Sequence, residues 1–235
     1  MRTYLLTVAL AATAALGGCG GGGSGDRAAA SFNLLAGYTS LVKNGEVASV
    51  TLSGNAIAGG VTTPFTGTGT LTLAPSTADT FNGTAGISQS VDVSASITGS
   101  GQPATYGSSV VNHYSSGTLT FLGQESATEY DVARTAFNYP TTLADTCTGT
   151  LGVLDRYTDN TMSVSLGTIQ LTYACTAPAS TGGPLAVKFT SKLYDAQGAL
   201  AETDVTSYSL TSTNAMTFVS ATTQNSLGNL SITAP

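Results

Sequence analysis

The 235-residue chain has no tryptophan, one histidine and three cysteines. Only 9% of its residues are charged, and of these just seven are Lys or Arg against thirteen Asp or Glu. Each shortage removes a class of function. Nucleic-acid binding draws its affinity from basic side chains that neutralise phosphates, and a chain with a pI near 4.4 is not built for it. The same deficit excludes an electrostatic hold on anionic lipid. A zinc site needs three or four His, Cys or carboxylate ligands, and the lone His113 with paired cysteines does not supply them. A Ser-His-Asp triad would have to use His113, yet no Gly-x-Ser-x-Gly turn occurs. No Gly-x-x-x-x-Gly-Lys-Ser/Thr is present to cradle phosphate. No cofactor is therefore expected. The missing Trp and the 7% aromatic content also speak against a sugar platform and against the aromatic girdles of a membrane barrel.

What is present begins at the N-terminus. Arg2 precedes an apolar run from Tyr4 to Leu16, the layout of a secretory signal peptide. The run is shorter than the ~20 residues of a membrane-spanning helix. Leu16-Gly17-Gly18-Cys19 resembles the lipobox of bacterial lipoproteins. The resemblance implies that residues 1–18 are removed and that Cys19 is diacylated. Two or more acyl chains anchor a protein stably where one does not. Residue 20 is Gly, not the Asp that retains such proteins at the inner membrane, so the implied address is the outer membrane. Gly20 to Gly25 then form a flexible tether. The expected organisation is a signal peptide at 1–18, a lipidated Cys and tether at 19–30, and one domain at 31–235.

The other two cysteines, Cys147 and Cys175, each fall on the apolar phase of a predicted strand. Cys147 alternates with Leu151 and Val153, and Cys175 with Ile169, Leu171 and Tyr173. In an exported protein such a pair reads as a disulfide.

The 41% apolar content supports a packed core. Helical spacing appears once, over Ser31 to Lys43, with Ser31 as the expected cap and Asn44-Gly45 as the stop. From Glu46 onward the period is two. Val91, Val93, Ala95 and Ile97 alternate with polar residues, and pairs such as Val50 and Leu52, Leu71 and Leu73, and Val187 and Phe189 do the same. Gly59-Gly60, Asn82-Gly83, Gly99 to Gly101, Asp159-Asn160, Gly182-Gly183 and Asp195 to Gly198 mark turns between strands. Residues 49–65 and 90–106 read as two similar hairpins. The fold class is all-β, with ten to twelve antiparallel strands in a β-sandwich or open barrel, a short N-terminal helix and one disulfide.

Candidate chemistry is sparse. Glu125, Glu129 and Asp131 fall on one face if their segment is a single extended strand, and clustered carboxylates can divide acid and base roles. Asp155, Asp159 and Asn160 offer oxygen ligands without a calcium-loop spacing. The texture of the chain is similar to that of uncharacterised Ser/Thr/Gly-rich proteobacterial envelope lipoproteins, a likeness that implies no activity. The expectation is a non-enzymatic envelope or surface binding or structural protein, held to the membrane by its lipid anchor and meeting an envelope or surface protein partner. Two alternatives stand beside it. One is a periplasmic carrier of a small apolar ligand, with Leu119, Phe121 and Phe189 lining its cavity. The other is a hydrolase using Glu125, Glu129 and Asp131.

Overall fold

The computed structural model describes residues 32–235 except 138, 145 and 181. The lipobox and tether lie outside the described residues. The first element is helix α1 (Leu34–Asn44). Its cap is Asn33, whose side-chain oxygen accepts the Ala36 N–H at 2.9 Å. Ser31, the expected cap, lies outside the described residues, and Phe32 is drawn into a bridge with Leu143. The helix stops where expected, at Gly45. There φ is 71° and an added Cβ would lie 2.4 Å from the Leu73 carbonyl oxygen, so only glycine fits.

Thirteen antiparallel strands follow: β1 (Glu46–Ala58), β2 (Val61–Leu73), β3 (Thr77–Phe81), β4 (Thr84–Gly99), β5 (Gln102–Ser115), β6 (Phe121–Glu125), β7 (Tyr130–Ala133), β8 (Cys147–Tyr157), β9 (Ser165–Thr176), β10 (Leu185–Tyr194), β11 (Leu200–Leu210), β12 (Met216–Asn225) and β13 (Gly228–Thr233). Each of the turn signals read from the sequence separates two of them. The two similar hairpins are β1–β2 and β4–β5.

Neighbours in sequence pair in order from β4 to β13, and β13 returns to β1. β2 then pairs with β4 over nine positions, from Phe65↔Gly99 to Leu73↔Val91. That contact closes a twelve-stranded barrel, with β3 hydrogen-bonded to β4 beyond the closure. The sheet is thus a barrel and not a sandwich. Small residues let the seam form, since a Cβ on Gly69 would come within 2.5 Å of the Ala95 Cβ. Cys147 and Cys175 sit directly opposite on β8 and β9, with Cα atoms 4.8 Å apart, and are joined as a disulfide.

The alternating apolar residues point inward. Val50, Leu52, Leu71, Val93, Phe189, Leu210 and Ile232 are all buried. Outward positions are mostly Thr and Ser, such as Ser94, Ser96 and Thr98 on β4. A membrane barrel has the reverse, an apolar band outside. Helix α1 covers one end of the barrel. Gly37 lies against Leu210 and Met216, and Leu34 and Val42 are fully buried. The opposite end carries the tight hairpin turns of β1–β2, β4–β5, β6–β7, β8–β9, β10–β11 and β12–β13. The lumen therefore has a helix end and a turn end.

Candidate functional site

The helix half of the lumen is aromatic. Tyr38, on the buried side of α1, stacks on Tyr139 at 4.6 Å between centroids and meets Tyr114 and Phe189 edge-on. Its hydroxyl shares a 3.0 Å hydrogen bond with that of Tyr114. Burial raises the pKa of Tyr38, Tyr114, Tyr139 and Tyr208, which keeps all four phenols neutral. Between these rings is a cavity of about 40 Å³, walled by Tyr38, Leu41, Phe121, Leu151, Phe189 and Tyr208, with Gln89, Asn112 and Gln124 as its amide lining. It has room for water-sized guests. Gln89 also clamps the end of α1, because its Nε2 donates to the carbonyls of Leu41 at 3.1 Å, Val42 at 3.3 Å and Ala74 at 2.9 Å. Phe121 and Phe189 line this chamber as expected of a carrier. Leu119 is buried but is not part of the wall.

The turn half of the lumen is polar. Its inward positions hold Gln124 on β6, Asp131 on β7, Arg156 on β8, Glu202 and Asp204 on β11 and Thr223 on β12, all buried. Gln124 donates to Asp131 at 2.8 Å, Thr223 to Asp204 at 2.7 Å and Asn225 to Glu202 at 2.7 Å. Arg156 donates to both carboxylate oxygens of Glu129 at 2.7 Å. Burial pushes Asp131 up to about 7, and the nearby Glu129 charge adds to the shift. Burial, and then the neighbouring Glu202, raise Asp204 well above the carboxylate range. Burial raises Glu202 as well.

Glu125, Glu129 and Asp131 do not share one strand. Ser126 to Glu129 form a turn, closed by the Ser126 N–H donating to the Glu129 carbonyl at 2.9 Å. Glu129 and Asp131 enter the lumen cluster. Glu125 points to the outer face, where its Oε1 lies 3.6 Å from His113 Nε2. His113 Nδ1 lies 2.9 Å from Asp79 Oδ2, and the imidazole stacks on Phe81 at 4.2 Å. Burial lowers the His113 pKa, against the pull of Glu125 and Asp79. The two carboxylates flank opposite edges of the ring, so they do not converge on one point. Asp155 pairs with Arg134, and Asp159 is satisfied by Thr161 within its own turn. Among the described residues no group of three or more His, Cys, Asp or Glu is placed to hold a metal ion.

Sequence reasoning missed Arg156, Ser191, Glu202, Asp204 and Thr206 as one inward layer. Its only signal was a phase conflict in β11, where Val205 alternates out of step with Tyr208 and Leu210. The structure resolves the conflict: Glu202, Asp204, Thr206, Tyr208 and Leu210 all face inward, opposite the inward residues of β10.

No family model matches the chain, and no curated protein matches it. Two solved structures resemble it distantly. One is a putative outer membrane lipoprotein-sorting protein domain from Vibrio parahaemolyticus, at TM-score 0.32 and 10% identity, with 86% of this chain and 89% of that chain covered. The other is a DUF1329 family protein from Desulfovibrio piger, at TM-score 0.28 and 9% identity, with 86% of this chain and 91% of that chain covered. Both TM-scores lie below the range of a shared fold.

Proposed function

We propose that the chain is a non-enzymatic envelope lipoprotein, anchored to the outer membrane through Cys19, whose barrel binds a small apolar ligand beneath α1. One observation carries the reading: the barrel keeps an aromatic-walled cavity under a helix whose last turn is held by the Gln89 side chain. Ligand chambers are mostly apolar with a few oriented polar groups, and Gln89, Asn112 and Gln124 fill that role here. At about 40 Å³ the chamber between these rings holds no more than water-sized guests. A ligand larger than water enters by displacing Tyr38 and Leu41, which both belong to α1. The carboxylates of the turn half each have an oxygen held by Arg156, Gln124, Thr223 or Asn225, which supports a binding role over hydrolysis. Envelope or surface protein partners would meet the barrel from outside.

The test is fluorescence of the neutral probe N-phenyl-1-naphthylamine with the full chain and with Gln89→Ala. The reading expects saturable enhancement, displaced by a medium-chain alcohol and tighter in the variant, whose helix is held less firmly. No saturable enhancement with either protein overturns the chamber. The anchor is tested separately: Cys19→Ala should leave the membrane fraction, and its retention there would overturn the lipidation.

A further inference from the structure

The turn half of the lumen holds polar atoms that the protein leaves unanswered. Among the described residues, Asp131 Oδ1, Ser191 Oγ, Asp204 Oδ2 and Thr206 Oγ1 are buried without a hydrogen-bond partner. All four residues are at most 1% exposed. Ser191 and Asp204 are directly paired across β10 and β11, and Thr206 lies two residues further along the same inward face. Asp131 is paired with Arg156 across β7 and β8. These four are oxygens able to accept a hydrogen bond, while the Arg156 Nε of the same layer is an unpartnered donor, and native interiors rarely leave such atoms unmet.

The charge balance points the same way. Glu129, Asp131, Glu202 and Asp204 surround one guanidinium, Arg156, whose Nη2 is committed to both oxygens of Glu129. Uncompensated buried carboxylates are costly. Protonation relieves some of that cost, and a bound cation relieves it while also filling the empty acceptor sites.

We propose that this layer is a second binding site, for an organic ammonium ion, with Ser191, Asp204 and Thr206 as its acceptors and Asp131 as a further buried carboxylate of the layer. The site does not depend on an apolar ligand occupying the helix half. An ammonium suits the geometry better than a metal ion. Calcium gathers six to eight oxygens at 2.3–2.6 Å around one point, and no such convergence of acidic ligands exists among the described residues. An ammonium needs only three acceptors, each about 2.8 Å from its nitrogen, and Ser191, Asp204 and Thr206, neighbours on one inward face of β10 and β11, offer three. Phe189 and Leu171 pair with Thr206 and Ser191 across their strands, so apolar surface borders the site for the carbon chain of the amine.

The probe is 1,4-diaminobutane, titrated calorimetrically into the full chain at pH 8. Saturable binding is expected, weakened about tenfold or more by Asp204→Asn and by Asp131→Asn, the loss typical of a charge-assisted hydrogen bond. Asp92→Asn on the outer face should bind as the parent does. Both lumen variants keep the shape of the side chain, so folding should be retained, and a thermal melt verifies it. Glu202→Gln provides a further variant in the same layer. Absence of saturable binding, binding indifferent to all three lumen variants, or calcium binding there in place of the diamine each overturns the proposal. The naphthylamine signal should be unchanged in Asp204→Asn, so failure of this site and failure of the apolar chamber are read separately.

Discussion

The carboxylate of Glu46, at the first position of β1, accepts the backbone N–H of Phe218 on β12 at 2.9 and 3.1 Å. A side chain here substitutes for a strand. β13 lies between β1 and β12 but ends at Thr233, level with Ser220. Beyond that point the β12 backbone would face a gap in the barrel wall. Burial raises the Glu46 pKa while the Phe218 N–H opposes the rise. Glu46→Leu removes this acceptor and leaves a buried donor, which costs about 1–3 kcal/mol. Glu46→Gln keeps an amide oxygen in place and should lose less. Urea unfolding of the two variants decides the matter, and equal midpoints would show that the gap is filled by solvent.

Gln89 makes a sharper prediction because it touches three carbonyls at once. Gln89→Leu has similar volume but no donor, so the Leu41 and Val42 carbonyls of the last turn of α1 lose a buried donor and the Ser76 N–H on Val42 remains. Hydrogen exchange should then accelerate by roughly tenfold or more in α1, in line with a lost buried hydrogen bond of about 1–3 kcal/mol. The amides of β8 to β11 should keep their protection. A uniform acceleration across the barrel would mean that the helix and barrel open only together.

The disulfide staples neighbouring strands at the helix end. Its sequence separation is 28 residues, for which the chain-entropy model gives about 3–4 kcal/mol. Thermal melts with and without reductant should differ accordingly, and Cys147→Ser should match the reduced protein. If reduction leaves the melt unchanged, the β8–β9 pairing is already held by its backbone ladder and the staple adds nothing.

Where pattern and turn chemistry agree, the strands were legible in the chain itself. Val91, Val93, Ala95 and Ile97 alternate cleanly, and β4 is found there. Asn82-Gly83 and Asp195 to Gly198 carry the φ > 0 residues or side-chain caps of hairpins, and hairpins are found there. The failures are equally physical. Ser126 to Glu129 contain no glycine or asparagine, and the turn is made instead by the Ser126 hydroxyl accepting the N–H groups of Thr128 and Glu129. Glu125 and Asp131 were thereby assigned to one face. Barrel closure depends on β2 meeting β4, a pairing that no local pattern specifies. The inward polar layer was hidden because alternation reports that two faces differ, and Glu202 and Asp204 occupy the face that hydrophobicity assigns to solvent.

That hidden layer sets the pH dependence of stability. Asp131 has its folded pKa raised from the model-compound value of 3.8 to about 7. Between those values the folded state holds a proton that the unfolded chain has released. Stability therefore falls as pH rises from about 4 to 7, and the full cost is present above 7. Asp204 is shifted in the same direction by its burial and its neighbour Glu202. Asp131→Asn keeps the shape and removes the titration, so it should be more stable than the parent at pH 8, by on the order of 2–4 kcal/mol. Near pH 4, where the unfolded chain also holds much of that proton, the difference should shrink toward zero. Urea unfolding at pH 4, 6 and 8 gives the slope. A parent and variant that stay parallel across this range would mean that the Asp131 carboxylate is ionised and fully compensated inside the barrel, and the excess negative charge of the lumen would then need another home.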